Sequence, residues 1–321
     1  MTRASTLSDL SVDAIRRAAG VIDPAFLNSP QFEDDQLNAA LGHRVLVKVE
    51  TVNPIRSFKG RGADFRISQL ESGQQVVCAS AGNFGQALAY SGRARGVGVT
   101  VFVPHDVNPV KRARIEGFGA TVHVGGEDFE AAKRLAVAHA AKDATRTFIE
   151  DGDDSAISEG AGTIAIELER AGEIDAIVVP VGDGALISGI ATWVKARSRG
   201  VRVIGVGPKG GAAMVESWKA RRPVSVDATN TIADGLAVRV PVKRAVERLI
   251  ALADDMLAVD DSEMIQAMRL AARTLGIVLE PSGAAGIAAI ARHRIPGERI
   301  ATILTGSNVH PDLFRELCGV Q

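Results

Sequence analysis

Six short stretches of the chain are almost continuously apolar, and each gives way to a small, mostly polar turn before a helical pattern begins. RVLVKVE (44–50), VVCAS (76–80), VTVFVP (99–104), IDAIVVPV (174–181), VRVIGVG (201–207) and RIATILTG (299–306) are all rich in valine and isoleucine. A strand without polar alternation is one covered on both faces, which is the pattern of a parallel sheet. Between these runs the apolar positions take helical spacing, and several helix ends are marked. Asn108–Pro109 reads as an N-cap followed by proline at the first helical position, with Gly119 near the stop. Asp260 and Glu263 have capping-box spacing, and Gly276 closes the same helix. The alternation predicts an α/β protein with mainly parallel sheets.

The 321 residues are 46% hydrophobic and 23% charged, enough for a large core and roughly two domains. A net charge of −1 gives no electrostatic footprint for nucleic acid or an anionic membrane. The longest weakly polar stretch, 282–291, falls far short of the ~20 residues that span a bilayer. The first ten residues lack the apolar core of a secretory signal. Cys78 and Cys318 stand alone, without metal or disulfide spacing. A cytoplasmic location is therefore expected.

Open α/β sheets bind ligands beyond the carboxyl ends of their strands. There the chain carries TVNPIRSFKGRGADF, SAGNFGQA, GDGALISG and TGSNV, all small, polar and glycine-bearing. Lys59 lies in the first. A lysine taken alone is usually a surface residue, but a desolvated amine with Arg61 nearby deprotonates more readily and becomes a nucleophile. Residues 182–186, Gly-Asp-Gly-Ala-Leu, open a helix whose free N–H groups suit a phosphate. A tight strand-to-helix turn is the plainer alternative. Asp183 would repel a phosphate, so its side chain is expected to point away. Gly205, Gly207 and Gly210 imitate a dinucleotide fingerprint, but too late in the chain and with Pro208 inside it. The histidines at 43, 105, 123, 139, 293 and 310 show no ligand spacing, and no metal is expected.

SFKGRGA resembles the Ser-Phe-Lys-x-Arg-Gly-Ala motif of the fold-type II pyridoxal-phosphate enzymes, in particular the serine/threonine dehydratase and serine racemase branch. SAGNFGQAL (80–88) is similar to that branch's asparagine loop and VPVGDGALISGI (179–190) to its phosphate loop. TIADGLAV, LEPSGAAG and LTGSNV match three further blocks in order, so the resemblance spans roughly residues 45 to 310. It implies a tryptophan synthase β-like fold of two αβα domains. Residues 72–151 would form a small domain inserted into a larger, cofactor-binding one made of 1–71 and 152–321.

The resemblance further implies that Lys59 carries pyridoxal 5′-phosphate as a Schiff base and later moves the α-proton. Phe58 lies beside the ring, and Asn83 hydrogen-bonds the 3′-oxygen. The backbone of Gly182, Asp183, Gly184, Ala185 and Leu186 holds the phosphate. The Thr305 hydroxyl faces the ring nitrogen. Ser80, Ala81, Gly82 and Asn83 receive the substrate carboxylate. The implied reaction is elimination of water from L-threonine or L-serine, giving a 2-oxo acid and ammonia, by a lyase acting as a homodimer.

The sequence departs from the family pattern at several points. Phe84 replaces a histidine, Asp183 and Ala185 replace glycines, and Thr305 is a threonine where serine is more frequent. Glu159 reads either as a solvated acid near a helix start or as an active-site acid. Ala81 stands where serine racemases carry the serine that reprotonates the second face. The stretch from Gly207 to Ala213 lacks the acids with which racemase-like relatives bind a divalent cation. No regulatory module follows the last block, so feedback of that kind is not expected. The rivals are a β- or γ-replacement synthase, elimination from another hydroxy-amino acid, and a catalytically silent binding protein.

Overall fold

The computed structural model describes residues 9–198 and 200–318. Ten strands form two sheets: β1 (Gln31–Glu33), β2 (Arg44–Val49), β3 (Gln75–Ala79), β4 (Val99–Val103), β5 (Thr121–Val124), β6 (Arg146–Phe148), β7 (Ala176–Pro180), β8 (Arg202–Pro208), β9 (Asp255–Val259) and β10 (Arg299–Leu304). One sheet has the order β1-β2-β10-β7-β8-β9, and the other β5-β4-β3-β6. Every neighbouring pair is parallel except β1 with β2. The expected α/β architecture with mainly parallel sheets is what the chain adopts.

Burial on both faces explains the unbroken apolar runs. In β7, Ile177 and Val179 join one core with the helices Ser155–Glu169 and Ala185–Arg197, while Ala176 and Val178 join another with Asp261–Leu275 and Pro281–Arg292. The smaller sheet is covered likewise. Val76, Cys78 and Val101 pack against the helices Lys59–Ile67 and Asn83–Arg95, and Val77 and Phe102 against Phe129–Ala140. Both sheets are thus the middle layer of an αβα sandwich.

Local signals fall where the sequence puts them. The Asn108 side chain caps Val110 N at 2.8 Å. Asp260 and Glu263 close a reciprocal capping box, and Gly276 ends that helix at φ 66°. β1, β5, β6 and β9 carry no long apolar run, and the sequence pattern does not reveal them. β5 is an edge strand with mostly exposed side chains, so nothing requires its residues to be apolar.

Four charges lie wholly or almost wholly buried under the larger sheet. Arg61 reaches Glu50 through Nη2 at 2.7 Å and Glu167 through Nη1 at 2.7 Å, and Lys48 meets Glu167 at 2.5 Å. Two cations and two anions balance, as burial requires. Burial alone would raise the Glu167 pKa, but Arg61 and then Lys48 outweigh it and hold it at about 2. The network ties β2 to the helices that begin at Lys59 and Ser155. Among the described residues, no helix is long and apolar enough to cross a membrane.

Candidate active site

The carboxyl ends of β2, β3, β6, β7 and β10 converge on one cavity of about 630 Å³, within the size range of small-molecule sites. Lys59, residues 79–84, residues 148–151, residues 182–186 and Thr305 all line it.

Lys59 starts a helix, and the loop before it is held from two sides. Asn53 accepts from the N–H groups of Ile55 and Ser57 at 3.2 and 3.3 Å and donates to the carbonyls of Glu50 and Ser57. Phe58 N donates to Thr305 O at 3.1 Å, and Ser57 bridges Gly306. This pins the end of β2's loop to the end of β10, which is why Lys59 and Thr305 share a cavity. The Lys59 amine lies 4.8 Å from the centre of the Phe58 ring and 6.0 Å from that of Phe84, a cation–π setting on both sides. Its ion partner is Asp151. Arg61, expected to act on this amine by its nearness, is instead fully buried and held by Glu50 and Glu167.

The asparagine loop turns from β3 into the helix Asn83–Arg95. Ser80 Oγ accepts from Gly82 N at 3.2 Å and Gly85 N at 3.1 Å, closing the helix start in place of a cap from Gly82. Asn83 Nδ2 donates to Glu280 Oε1 at 2.8 Å, and Asn83 Oδ1 accepts from Asn308 Nδ2 at 2.6 Å. One amide hydrogen of Asn83 is left for a ligand. Glu280 also accepts from Asn308 N at 2.9 Å. Burial first, and then the charge of Asp234, push the Glu280 carboxyl up to about 7. Neither Glu280 nor Asn308 is singled out in the sequence. Glu280 sits inside the LEPSGAAG block, and its buried acid is the signal that would have found it.

At the end of β7, Gly184 is the N-cap of the helix Ala185–Arg197 at φ 86°, and no side chain caps that helix. Among the described residues its first turn thus has no side-chain cap, and Gly184, Ala185 and Leu186 line the cavity. Thr305 is buried, its hydroxyl making only a 3.4 Å contact with Ser282 O. The buried Asp151 Oδ1 and Ser282 Oγ have no hydrogen-bond partner among the described residues. An open helix start, a spare amide donor, a lysine between two rings and a free hydroxyl suit a flat ring bearing a phosphate, so pyridoxal phosphate fits.

The structure corrects two further expectations. Asp183 does not leave the site: it lines the cavity, and burial, then Asp151, raise its carboxyl pKa to about 7 against the pull of Lys59. Gly152, at φ 83°, passes so close to Asp183 O that a β-carbon there would collide with it. Glu159 is neither solvated nor in this cavity. It is 8% exposed and accepts Ser11 N at 2.9 Å in a separate polar hollow with Arg66 and Arg244. Asp151, which the sequence suggests only as a domain crossing, is the acid nearest Lys59.

The glycines that imitate a dinucleotide site serve packing. A β-carbon on Gly205 would collide with Met256 Sδ, and one on Gly210 with Asn230 O. Lys209 in that segment pairs with Asp260 and Glu263 at 3.2 Å each.

The chain is 34% identical over 283 residues to the biosynthetic L-threonine dehydratase IlvA of Pasteurella multocida, covering 86% of this chain and 55% of that protein. It is 36% identical to the enzyme of the same name from Mycobacterium bovis, covering 95% of this chain and 73% of that one. It thus spans little more than half the length of the first relative. Among solved structures, maize serine racemase superposes with a TM-score of 0.90 at 27% identity, covering 97% of each chain. The processed form of threonine deaminase isoform 2 from Solanum lycopersicum superposes at 0.87 with 28% identity, covering 97% of this chain and 94% of that one. The model of the family described as "Pyridoxal-phosphate dependent enzyme" matches residues 22–306, and the chain belongs to that family.

Proposed function

We propose that the chain is a lyase eliminating water from L-threonine or L-serine, with release of a 2-oxo acid and ammonia. The observation that carries this reading is the single cavity in which Lys59, Asn83, the open helix start after Gly184 and Thr305 stand together. The dehydratase and deaminase names of the relatives support it.

Pyridoxal phosphate, when bound, supplies the electron sink for the carbon from which a proton is lost. The chain's own residues supply position and proton transfer. Lys59 Nζ holds the cofactor and takes the proton from the substrate Cα. Phe58 and Asn83 fix the ring, Asn83 through its spare amide hydrogen. The backbone of Gly182, Asp183, Gly184, Ala185 and Leu186 binds the phosphate at the positive end of a helix. Thr305 would offer the ring nitrogen a neutral hydroxyl, which, unlike a carboxylate partner, would not enforce a proton there. That setting favours early loss of a β-leaving group over exchange of amino groups. Ser80, Ala81, Gly82 and Asn83 receive the substrate carboxylate, the start of the helix Asn83–Arg95 lending its dipole.

Incubation with single amino acids, reading 2-oxo acid and ammonia together, tests the reading. Threonine or serine should give both in equal amounts. Release of neither from any hydroxy-amino acid would overturn it. Thr305 in place of the commoner serine favours a replacement synthase as the second reading. Product formed only when a thiol is added, or only from a phosphate ester of a hydroxy-amino acid with release of phosphate, would select that one. A silent binding protein would show no shift of the bound cofactor's visible band on adding an amino acid.

We further assign residues 72–151 to a smaller inserted domain and 1–71 with 152–321 to the larger one. The four-stranded sheet, drawn wholly from residues 75–148, supports this division. The working form is proposed to be a cytoplasmic homodimer, with light scattering at twice the chain mass as its test.

A further inference from the structure

Three acids and two lysines crowd the part of the cavity beside the phosphate loop. Lys59 is paired with Asp151, and Lys133 with Glu150. Asp183 is the third acid. Among the described residues it has neither an ion pair nor a side-chain hydrogen bond, although it lies in the very turn whose N–H groups form the cradle. Burial first, and then Asp151 and Glu150, push its proton affinity up, and Lys59 and Lys133 oppose them. No arginine lies in this turn to offset a phosphate.

We propose that Asp183 is a neutral acid when the cofactor's phosphate is bound, donating its O–H to a phosphate oxygen, so that binding takes up a proton. This rests on the cavity being the cofactor site and deepens that reading.

Charge decides the protonation state. A dianionic phosphate brought against the start of the helix Ala185–Arg197 lies beside Asp183. The Lys59 ammonium is already held by Asp151 and that of Lys133 by Glu150, so neither is spare for Asp183 and the phosphate together, whether or not the cofactor is bonded to Lys59. Three acids against two lysines leave this cluster one negative charge in excess before the phosphate arrives, and Asp183 is the acid without an ion partner among the described residues. Like charges in a partly desolvated site are relieved most cheaply by protonating the group whose pKa is already raised. A carboxylic acid also has an O–H to give, whereas a carboxylate only accepts. Protonation therefore turns a repulsion into a hydrogen bond.

The test uses cofactor-free protein and pyridoxamine 5′-phosphate, which has no aldehyde and leaves Lys59 unbonded. Calorimetry at pH 8 in two buffers of different ionisation enthalpy counts the protons taken up. At that pH the phosphate is dianionic, its second pKa being about 6. Wild type should take up a substantial fraction of one proton, and Asp183→Asn close to none, while binding at least as tightly. Wild-type affinity should fall by up to tenfold per pH unit above neutrality, and the variant's should stay flat. Unphosphorylated pyridoxamine should show no uptake, a control that needs no variant. The phosphorus NMR shift of the bound ligand should remain that of a dianion. Uptake unchanged in Asp183→Asn, or absent from wild type, overturns the proposal and leaves the cofactor site standing. Failure of wild type to bind either pyridoxamine phosphate or pyridoxal phosphate overturns both.

Discussion

Asn83 and Glu280 meet across the space between the two sheets, amide nitrogen to carboxylate oxygen at 2.8 Å. Asn308 closes the triangle by donating to both. Glu280 therefore fixes the rotamer of the asparagine proposed to hold the cofactor ring, although it is itself a buried acid. Its pKa is raised to about 7 by burial and by Asp234. An acid raised above its ordinary value weakens the fold once the pH passes that value, and the deficit grows until about pH 7. Glu280→Gln removes this dependence and also one acceptor. In urea titrations the variant should be less stable than wild type at pH 5, and the difference should shift in its favour by up to about 3 kcal/mol by pH 8. A pH-independent difference would show that the carboxyl titrates normally.

Lys59→Ala should abolish covalent attachment of the cofactor. Borohydride reduction followed by peptide mapping should label Lys59 in wild type and no lysine in the variant. Turnover should fall roughly 10³-fold or more, the scale set by loss of a group that both binds and transfers the proton. A label on any other lysine would move the site.

Arg61→Met leaves Glu50 and Glu167 buried with only Lys48 between them. Breaking one partner out of a buried network costs about 3–5 kcal/mol. Glu167, whose pKa is held at about 2, stabilises the native state above the ordinary carboxylate range and loses that contribution as pH falls toward 2. The variant's unpaired carboxyl is relieved by protonation, so the stability gap should be widest at pH 7 and narrow toward pH 4. Urea melts at the two pH values read this directly. A gap that widens in acid would contradict the assignment of charge.

Much of this site was legible because its parts follow long buried strands with glycine turns. Lys59, Asn83, the 182–186 loop and Thr305 each stand at a strand's carboxyl end, and pattern plus resemblance find all of them. Asp151 was hidden because its strand, β6, has only three residues and no apolar run. Its place comes from the parallel pairing of β6 with β3, Val77 opposite Phe148, which brings the residues that follow both strands out at the same edge of the sheet. Arg61 and Glu159 misled for a related reason. Sequence places a charge near a site, but only the fold decides which partner takes it.

Two ion pairs bridge the mouth of the cavity from the elements of one sheet to those of the other. Lys111 meets Asp234, and Arg239 Nη2 meets Asp128 at 2.7 Å. Such exposed pairs are worth about 0–1 kcal/mol each and are screened by salt. The double variant Lys111→Gln with Arg239→Gln should release cofactor a few-fold faster at low ionic strength and at the wild-type rate in 1 M salt. A rate gap that persists in high salt would assign these side chains a packing role instead.

Return of a proton to the substrate carbon from the side opposite Lys59 needs a donor there, and in the serine racemases a serine of the asparagine loop fills that position. Here the matching residue is Ala81, half-buried at the wall of the cavity, and a methyl group neither gives nor takes a proton. The neighbouring Ser80 accepts from two backbone N–H groups and is held in the turn. Glu159, the acid that sequence offers as a substitute, lies in another hollow. Proton return from the Lys59 side restores the L-isomer, whereas loss of the β-hydroxyl removes material irreversibly, so elimination should prevail. With L-serine, 2-oxo acid should form much faster than D-serine by chiral chromatography, and Ala81→Ser should raise the D-serine share severalfold. D-serine appearing ahead of 2-oxo acid in the wild type would contradict this reading of Ala81.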